Sequence, residues 1–308
     1  MENQHNQSAH NVPIHHENQK NWYDKSYKWL LIIPVVFLIF SLVYLFNFNI
    51  KNGDIIYKDV SLTGGTSITV FDVNVNTEEL AINLKQQFPD LIVRGISDIR
   101  SGKQHGFLIE TKAEPEIIKT ALEKYLGYGL TSENSSIEFS GSSLSSSFYN
   151  QLRFAVLISF ILMAFVVLII FRTPIRSLSV ILAGFSDIVM TVVVIDMLGM
   201  QLSTAGIVAL LMLIGYSVDV DILLTTRVVK DKEGTLNHRI FGAFKTGITM
   251  TLTAIATMAV ALIFTQSFSP VLSQMFTIIL IGLGFDMVNC WILNASILKW
   301  YSEARHSI

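Results

Sequence analysis

One cysteine, Cys290, among 308 residues leaves no internal disulfide framework and no multi-thiolate zinc site to build. Charge is also scarce: 15% of the residues are charged, against roughly 25% in soluble domains. A net charge of -2 gives no electrostatic footprint for nucleic acid. Two candidate loops, Gly199–Gln201 and Thr265–Pro270, carry no Lys or Arg. What the chain has instead is apolar length: 51% hydrophobic residues and a mean hydropathy of +0.50.

A spanning helix needs about 20 apolar residues. Stretches that qualify are Trp29–Phe48, Phe154–Phe171, Leu178–Leu198, Ser203–Leu224, Gly247–Phe264 and Val271–Leu298. The first is too long for a cleavable signal peptide and has no small-residue cleavage site after it. These runs predict a polytopic α-helical membrane protein with six transmembrane helices, embedded in the lipid bilayer. A polar tail at 1–28 carries His5, His10, His15 and His16, and it reads as solvated and disordered rather than metal-binding.

Basic residues set the expected orientation. Lys20, Lys25 and Lys28 precede the first run, and Arg172 and Arg176 join the second and third. Arg227, Lys230, Lys232, Arg239 and Lys245 lie between the fourth and fifth, and Lys299 and Arg305 follow the sixth. The positive-inside rule then places both termini in the cytoplasm, with 299–308 as the C-terminal tail. It places 49–153 outside the cell membrane, ahead of a five-helix bundle at 154–298.

The outer segment predicts one extracellular α+β domain between helices 1 and 2. Strands are expected at Asp54–Val60, Thr66–Val73, Leu91–Ile99, Phe107–Thr111 and Ser135–Phe139. Helices are expected at Glu78–Phe88, capped by Thr77, and at Glu114–Leu126, with a turn at Ser101-Gly102-Lys103-Gln104. The order is ferredoxin-like, a fold that specifies no function. Ser140–Ser147 reads as a linker. No metal or cofactor cluster is evident; the lone His105 sits beside a turn.

Chemistry concentrates inside the apolar runs. Asp187 lies in the third, Asp219 and Asp221 in the fourth, and Asp286 in the sixth. A carboxylate in hydrocarbon costs at least ~2.5–3.5 kcal/mol, so such groups pair, titrate or line a water path. The fifth run opens with Lys245 and repeats Thr246, Thr249, Thr253 and Thr257 along one helical face. If that face meets the fourth run, Lys245 pairs with Asp219 or Asp221. These residues, with Arg227, are the candidate ion or proton path, Asp219 foremost; packing through polar pairs is the plainer reading. Asp196 reads as interfacial. Leu62-Thr63-Gly64-Gly65-Thr66 is a tight turn whose Gly64 and Gly65 allow positive φ and close approach. No lysine or helix start follows it, so it is not a phosphate loop.

That glycine turn, with several membrane motifs, resembles the SecD/SecF family of protein-export membrane proteins, on its SecF side and in its archaeal branch. The resemblance covers nearly everything after residue 28. It rests on Ala183-Gly184-Phe185-Ser186-Asp187, Gly215-Tyr216-Ser217-Val218, Lys245-Thr246-Gly247 and Thr249-Met250-Thr251. Asp286-Met287-Val288-Asn289-Cys290-Trp291-Ile292-Leu293-Asn294 completes it. It implies half of a resistance-nodulation-division transporter architecture, completed by a SecD-like membrane subunit. It implies assistance to preproteins crossing the Sec translocation channel, driven by a proton or sodium gradient rather than by nucleotide hydrolysis. The chain departs from the pattern in two places. Bacterial members read Ser-Val-Asn-Asp where this chain has Ser217-Val218-Asp219-Val220-Asp221, and they carry Arg where this chain has Lys245.

Three other readings compete. Gly282-Leu283-Gly284-Phe285-Asp286 is only superficially like the motif of an intramembrane aspartyl protease, because Phe285 displaces the acid by about 100° around the helix. No enzymatic activity is therefore expected. A small-molecule or lipid exporter half would usually carry two such halves in one chain. A scaffold subunit without ion coupling would use its charges for assembly alone.

Overall fold

The computed structural model describes residues 22–97, 104–230, 234–266 and 269–306. Of the tail expected at 1–28, residues 1–21 with their histidines lie outside the described residues, whereas 22–28 are not disordered: a helix begins at Trp22, and Tyr27 on it is buried. Most of the expected turn at 101–104 also lies outside the described residues. Among the described residues, six helical stretches are long and apolar enough to cross a membrane. The first is α1 (Trp22–Leu30) running into α2 (Ile32–Asn52). The others are α6 (Ser142–Phe171), α7 (Pro174–Met197), α8 (Thr204–Lys230), α9 (Leu236–Thr265) and α10 (Pro270–Val288). The last continues through a π turn (Asn289–Asn294) into α11 (Ala295–His306).

Burial divides these helices sharply. The apolar windows of α7, α8 and α10 are 67%, 50% and 44% buried, whereas those of α2, α6 and α9 are 17%, 11% and 11% buried. The first three therefore form the centre, and they are the helices that carry the expected acids. Close approach is part of the packing. A Cβ on Gly247 of α9 would collide with the Trp291 ring, and one on Gly282 with Leu213 of α8. At the end of the bundle that holds the N-terminal helix, buried Lys299 ion-pairs with Asp24 and donates to Asn237 Oδ1 at 2.8 Å. It also lies 4.2 Å from the Tyr23 ring centroid, so it ties α1, α9 and α11 together.

The inserted domain runs β1 (Gly65–Val70), α4 (Thr77–Lys85), β2 (Ile92–Ser97), β3 (Gln104–Thr111), α5 (Pro115–Leu126) and β4 (Ser135–Ser140). Its sheet has the order β2-β3-β1-β4, with every pairing antiparallel. This is the ferredoxin-like arrangement. One face of the sheet, with Ile68, Val70, Phe107 and Ile109, packs on Leu80 and Leu84 of α4 and on Ile118 and Leu122 of α5. Asn76, not Thr77, caps α4: its side chain accepts from the Glu78 and Glu79 amides. The helix stops at Lys85, short of the expected Phe88.

Two further expectations, both at the domain's junctions with the bundle, need correction. Asp54–Val60 is not a strand. Tyr57 O accepts from Leu202 N at 2.6 Å and Asp59 N donates to Leu202 O at 3.1 Å, so the segment is pinned to the loop before α8. It then turns through α3 (Val60–Thr63), capped by the Asp59 carboxylate. Nor is Ser140–Ser147 a linker: α6 begins at Ser142. Serine is well suited to a helix N-terminus, and Ser145 and Tyr149, one turn apart, are both buried. Tyr149 Oη donates to Asp54 at 2.9 Å, fastening the early turns of α6 to the entry segment.

Candidate functional site

Asp187 on α7, Asp221 on α8 and Asp286 on α10 converge inside the bundle, each at most 1% exposed. They lie near enough for Asp286 to feel the charges of both other acids, and Asp221 that of Asp187. The local chain explains how they are held. Ser217, four residues before Asp221 on α8, donates its hydroxyl to Asp187 Oδ2. Asn289 Nδ2 donates to Asp187 Oδ1 at 2.7 Å and Asn294 Nδ2 to Asp221 Oδ1 at 2.7 Å.

Asn289 and Asn294 bound the π turn. The wider turn brings side chains five apart onto one face, a spacing that an α-helix would rotate by about 500°, or 140° net. Single π turns recur at functional sites. In the sequence both asparagines stand out only as part of a motif, and their role is missed because their spacing is off the helical period.

The cluster is rich in acceptors. Asp221 Oδ2, both oxygens of Asp286, and the carboxamide oxygens of Asn289 and Asn294 are buried without a hydrogen-bond partner. Ser217 lies beside Asp286 as well. Among the described residues no Lys or Arg forms an ion pair with any of the three acids. Such an array has one plain chemical capability, which is to take up positive charge.

The other candidates are arranged differently. Asp219 is exposed on the outer side of α8, beside Tyr216. Lys245 is also exposed, and no ion pair joins it to Asp219 or Asp221. The expected pairing is therefore absent from this chain. Thr249, Thr253 and Thr257 line a shallow outer groove with Tyr216, Met250 and Met258. Each threonine hydroxyl donates to the carbonyl four residues back, at 2.7–2.9 Å. Arg227 packs beside Gly242 of α9 and forms no ion pair with the described acids. Asp196 lies in the last turn of α7, buried near the Tyr57 backbone of the entry segment.

Gly64 and Gly65 have φ values of 85° and 141°. A Cβ on Gly64 would collide with the Ser142 backbone at the start of α6, and one on Gly65 with Thr111 O on β3. The pair is thus wedged between the sheet and the second spanning helix.

A multi-pass bundle with unpaired acids at its centre and a ferredoxin-like domain inserted after the first span defines a polytopic membrane protein with an interior polar site. The family model described as Protein export membrane protein SecD/SecF, C-terminal, matches residues 120–304. Protein-export membrane protein SecF of Methanocaldococcus jannaschii is 38% identical over 285 residues, covering 90% of this chain and 96% of the relative. SecF of Methanothermobacter thermautotrophicus is 38% identical over 287 residues, covering 91% and 94%. The chain belongs to the SecD/SecF family of protein-export membrane proteins. The crystal structure of SecDF, a translocon-associated membrane protein from Thermus thermophilus, has the same fold, with a TM-score of 0.73 at 18% identity. That match covers 90% of this chain and 38% of the SecDF chain.

Proposed function

We propose that the protein is an auxiliary subunit of the Sec translocase, working with a SecD-like membrane subunit to promote preprotein export with the transmembrane ion gradient. The observation that carries this reading is the trio Asp187, Asp221 and Asp286, buried in a membrane bundle with no cationic partner among the described residues. Like charges in a dry volume are mutually costly, so the trio binds protons or a cation, and the gradient sets its occupancy. Asp219, Lys245 and the threonine row then face the SecD-like subunit, where the missing counter-charges would be supplied. Both termini lie in the cytoplasm and the ferredoxin-like domain lies outside, toward the emerging preprotein. Gly64 and Gly65 form the joint through which the bundle moves that domain.

The test is export in cells that carry the chain with Asp221→Asn and Asp286→Asn together. Precursors accumulate while the variant still co-purifies with a second polytopic protein. Unchanged export with retained association would make this a scaffold subunit. A lipid or small solute as the only co-purified partner would make it an exporter half.

A further inference from the structure

The helices that carry Asp221 and Asp286 run on from the trio to the end of the bundle where α1 sits. Pro34 of α2 has no N–H to return to Leu30 O, and the first spanning helix breaks there into α1. Tyr23, Asp24 and Tyr27 of α1 meet the face of α11 that carries Ser296, Lys299 and Glu303. Tyr27 Oη donates to Glu303 Oε2 at 2.7 Å, Lys299 ion-pairs with Asp24, and Ser296 lies beside Tyr23. Asn237, at the start of α9, closes the clasp: its Nδ2 donates to Asp24 Oδ1 at 2.8 Å and its Oδ1 accepts from Lys299.

Lys299 is only 1% exposed, so this is a charge sealed inside a helix contact. A buried ion pair holds helices together no better than apolar residues of the same volume, because both charges have lost their water. Removing one partner, however, strands the other charge and forces the contact to open to water. The clasp is thus weak as glue and sharp as a switch.

Between the clasp and Asp221 lie hydroxyls without partners. Thr225 stands one turn after Asp221 on α8, and Ser296 stands two residues after Asn294, which holds Asp221. Both side chains are fully buried, and their oxygens, like Tyr23 Oη, make no hydrogen bond. A hydroxyl both donates and accepts, so a row of them passes a proton on without holding a charge. Leu224, Val228 and Leu298 pack with Tyr23 around this row, and they exclude water from it while α1 is docked.

We infer that α1 is the gate at the cytoplasmic end of the ion path. Thr225, Ser296 and Tyr23 carry protons between Asp221 and the clasp, and parting Lys299 from Asp24 lifts α1 and admits water to them. Each hydroxyl takes up one proton and releases another, so the row ends as it began. The clasp residues touch no acid of the trio; they act as positioning residues, by setting whether this end is open. The inference rests on the ion-gradient reading and gives the trio a closed side, which any gradient-driven site needs.

Cys290, the chain's single thiol, is buried beside Asp221 and packs in the same apolar cluster, so it reports water reaching the trio. The test exposes the full chain, in inside-out membrane vesicles, to a charged, membrane-impermeant methanethiosulfonate, and mass spectrometry follows modification of Cys290. The wild type reacts slowly, and Asp24→Asn raises the rate by about tenfold or more. Asp24→Asn with Lys299→Met replaces the clasp without stranding a charge, so the gate stays shut: Cys290 reacts as slowly as in the wild type, the chain inserts, and export falls. Thr225→Val with Ser296→Ala also leaves Cys290 slow and lowers export, whereas Thr225→Ser preserves it. Fast modification of the wild type, a rate indifferent to Asp24→Asn, or normal export with the neutral clasp would each overturn the gate. The thiol rates require no export assay, so their failure is distinct from failure of the export reading, which the Asp221 and Asp286 substitutions test.

Discussion

Asp219 and Asp221 are two residues apart on one helix, yet they live in different environments. Asp221 is sealed among α7, α8 and α10 with two asparagines and two further acids around it; Asp219 is exposed on the opposite side, beside Tyr216 and the threonine row. Two residues turn an α-helix by about 200°. The inner acid is already provided with neutral hydrogen-bond donors from its own chain. The outer acid has none and depends on whatever packs against that face. One helix therefore presents an acid held by its own chain inward and one without a partner in its own chain outward.

The largest expected effect tests the inward side. Asp221→Asn with Asp286→Asn removes two titratable groups at constant volume, so export drops by about tenfold or more while the bundle folds at least as well. Precursor accumulation and the melting temperature of the purified chain check this together. A variant that exports normally, or that fails to insert, would erase the functional contrast between the two sides of α8.

Much of this was legible in the sequence, and the reasons for the rest are physical. The six spans, the inserted α+β domain and the four acids within the spans follow from apolar length, strand and helix patterning and the cost of charge in hydrocarbon. Which acid points inward does not, because a helix that is apolar nearly all round carries no amphipathic stripe to orient it. The asparagines at 289 and 294 escaped because helical periodicity separates them and only the π turn reunites them. Glu110 had a signal that went unread. In Phe107-Leu108-Ile109-Glu110 the odd positions face the core, so the strand's alternation sends Glu110 to the other face, where it is nonetheless buried. The entry segment at 54–60 had strand-like composition, but backbone bonds to Leu202 claimed it first.

The glycine turn extends the contrast between a contact inside one unit and a contact across units. Gly65 opposes Thr111 O within the sheet, whereas Gly64 opposes Ser142 at the start of α6. Gly65→Ala therefore destabilises even an isolated fragment covering 54–139, by roughly 2–4 kcal/mol from collision and unfavourable φ. Gly64→Ala lacks the collision in that fragment, since Ser142 is missing, and costs less there, while the full chain feels it in full. Chemical denaturation of both fragments measures the difference. Equal losses in the fragment would mean that the backbone angles, not the approach of α6, decide both positions.

A smaller effect comes from Glu110, the buried acid of the inserted domain. Its pKa of about 7 in the folded chain stands above the ordinary 4.5. A raised carboxyl means that the folded state holds the proton more tightly, so stability present below about pH 4.5 is lost as pH rises through about 7. Glu110→Gln should thus raise the melting temperature at about pH 8, corresponding to roughly 1–3 kcal/mol, and leave it unchanged at about pH 5. Stabilisation at both values would point to packing rather than to buried charge.

The smallest expected effect on the isolated chain lies on the outward side of α8, and its smallness is the point. Asp219→Asn and Lys245→Met touch groups that make no ion pair within this chain, so each should shift its stability by no more than about 0.5 kcal/mol. In the proposed complex with a SecD-like subunit, the same changes should matter severalfold for co-purification if the exposed acid and ammonium are buried against that partner, where they would need counter-charges. A double-mutant cycle read in the complex should show coupling between partner residues and Asp219 or Lys245, and additivity when read in the isolated chain. Strong coupling of Lys245 to Asp221 in the isolated chain would contradict the separation of the two faces. Substitutions silent in both settings would leave the outward polar row as packing alone.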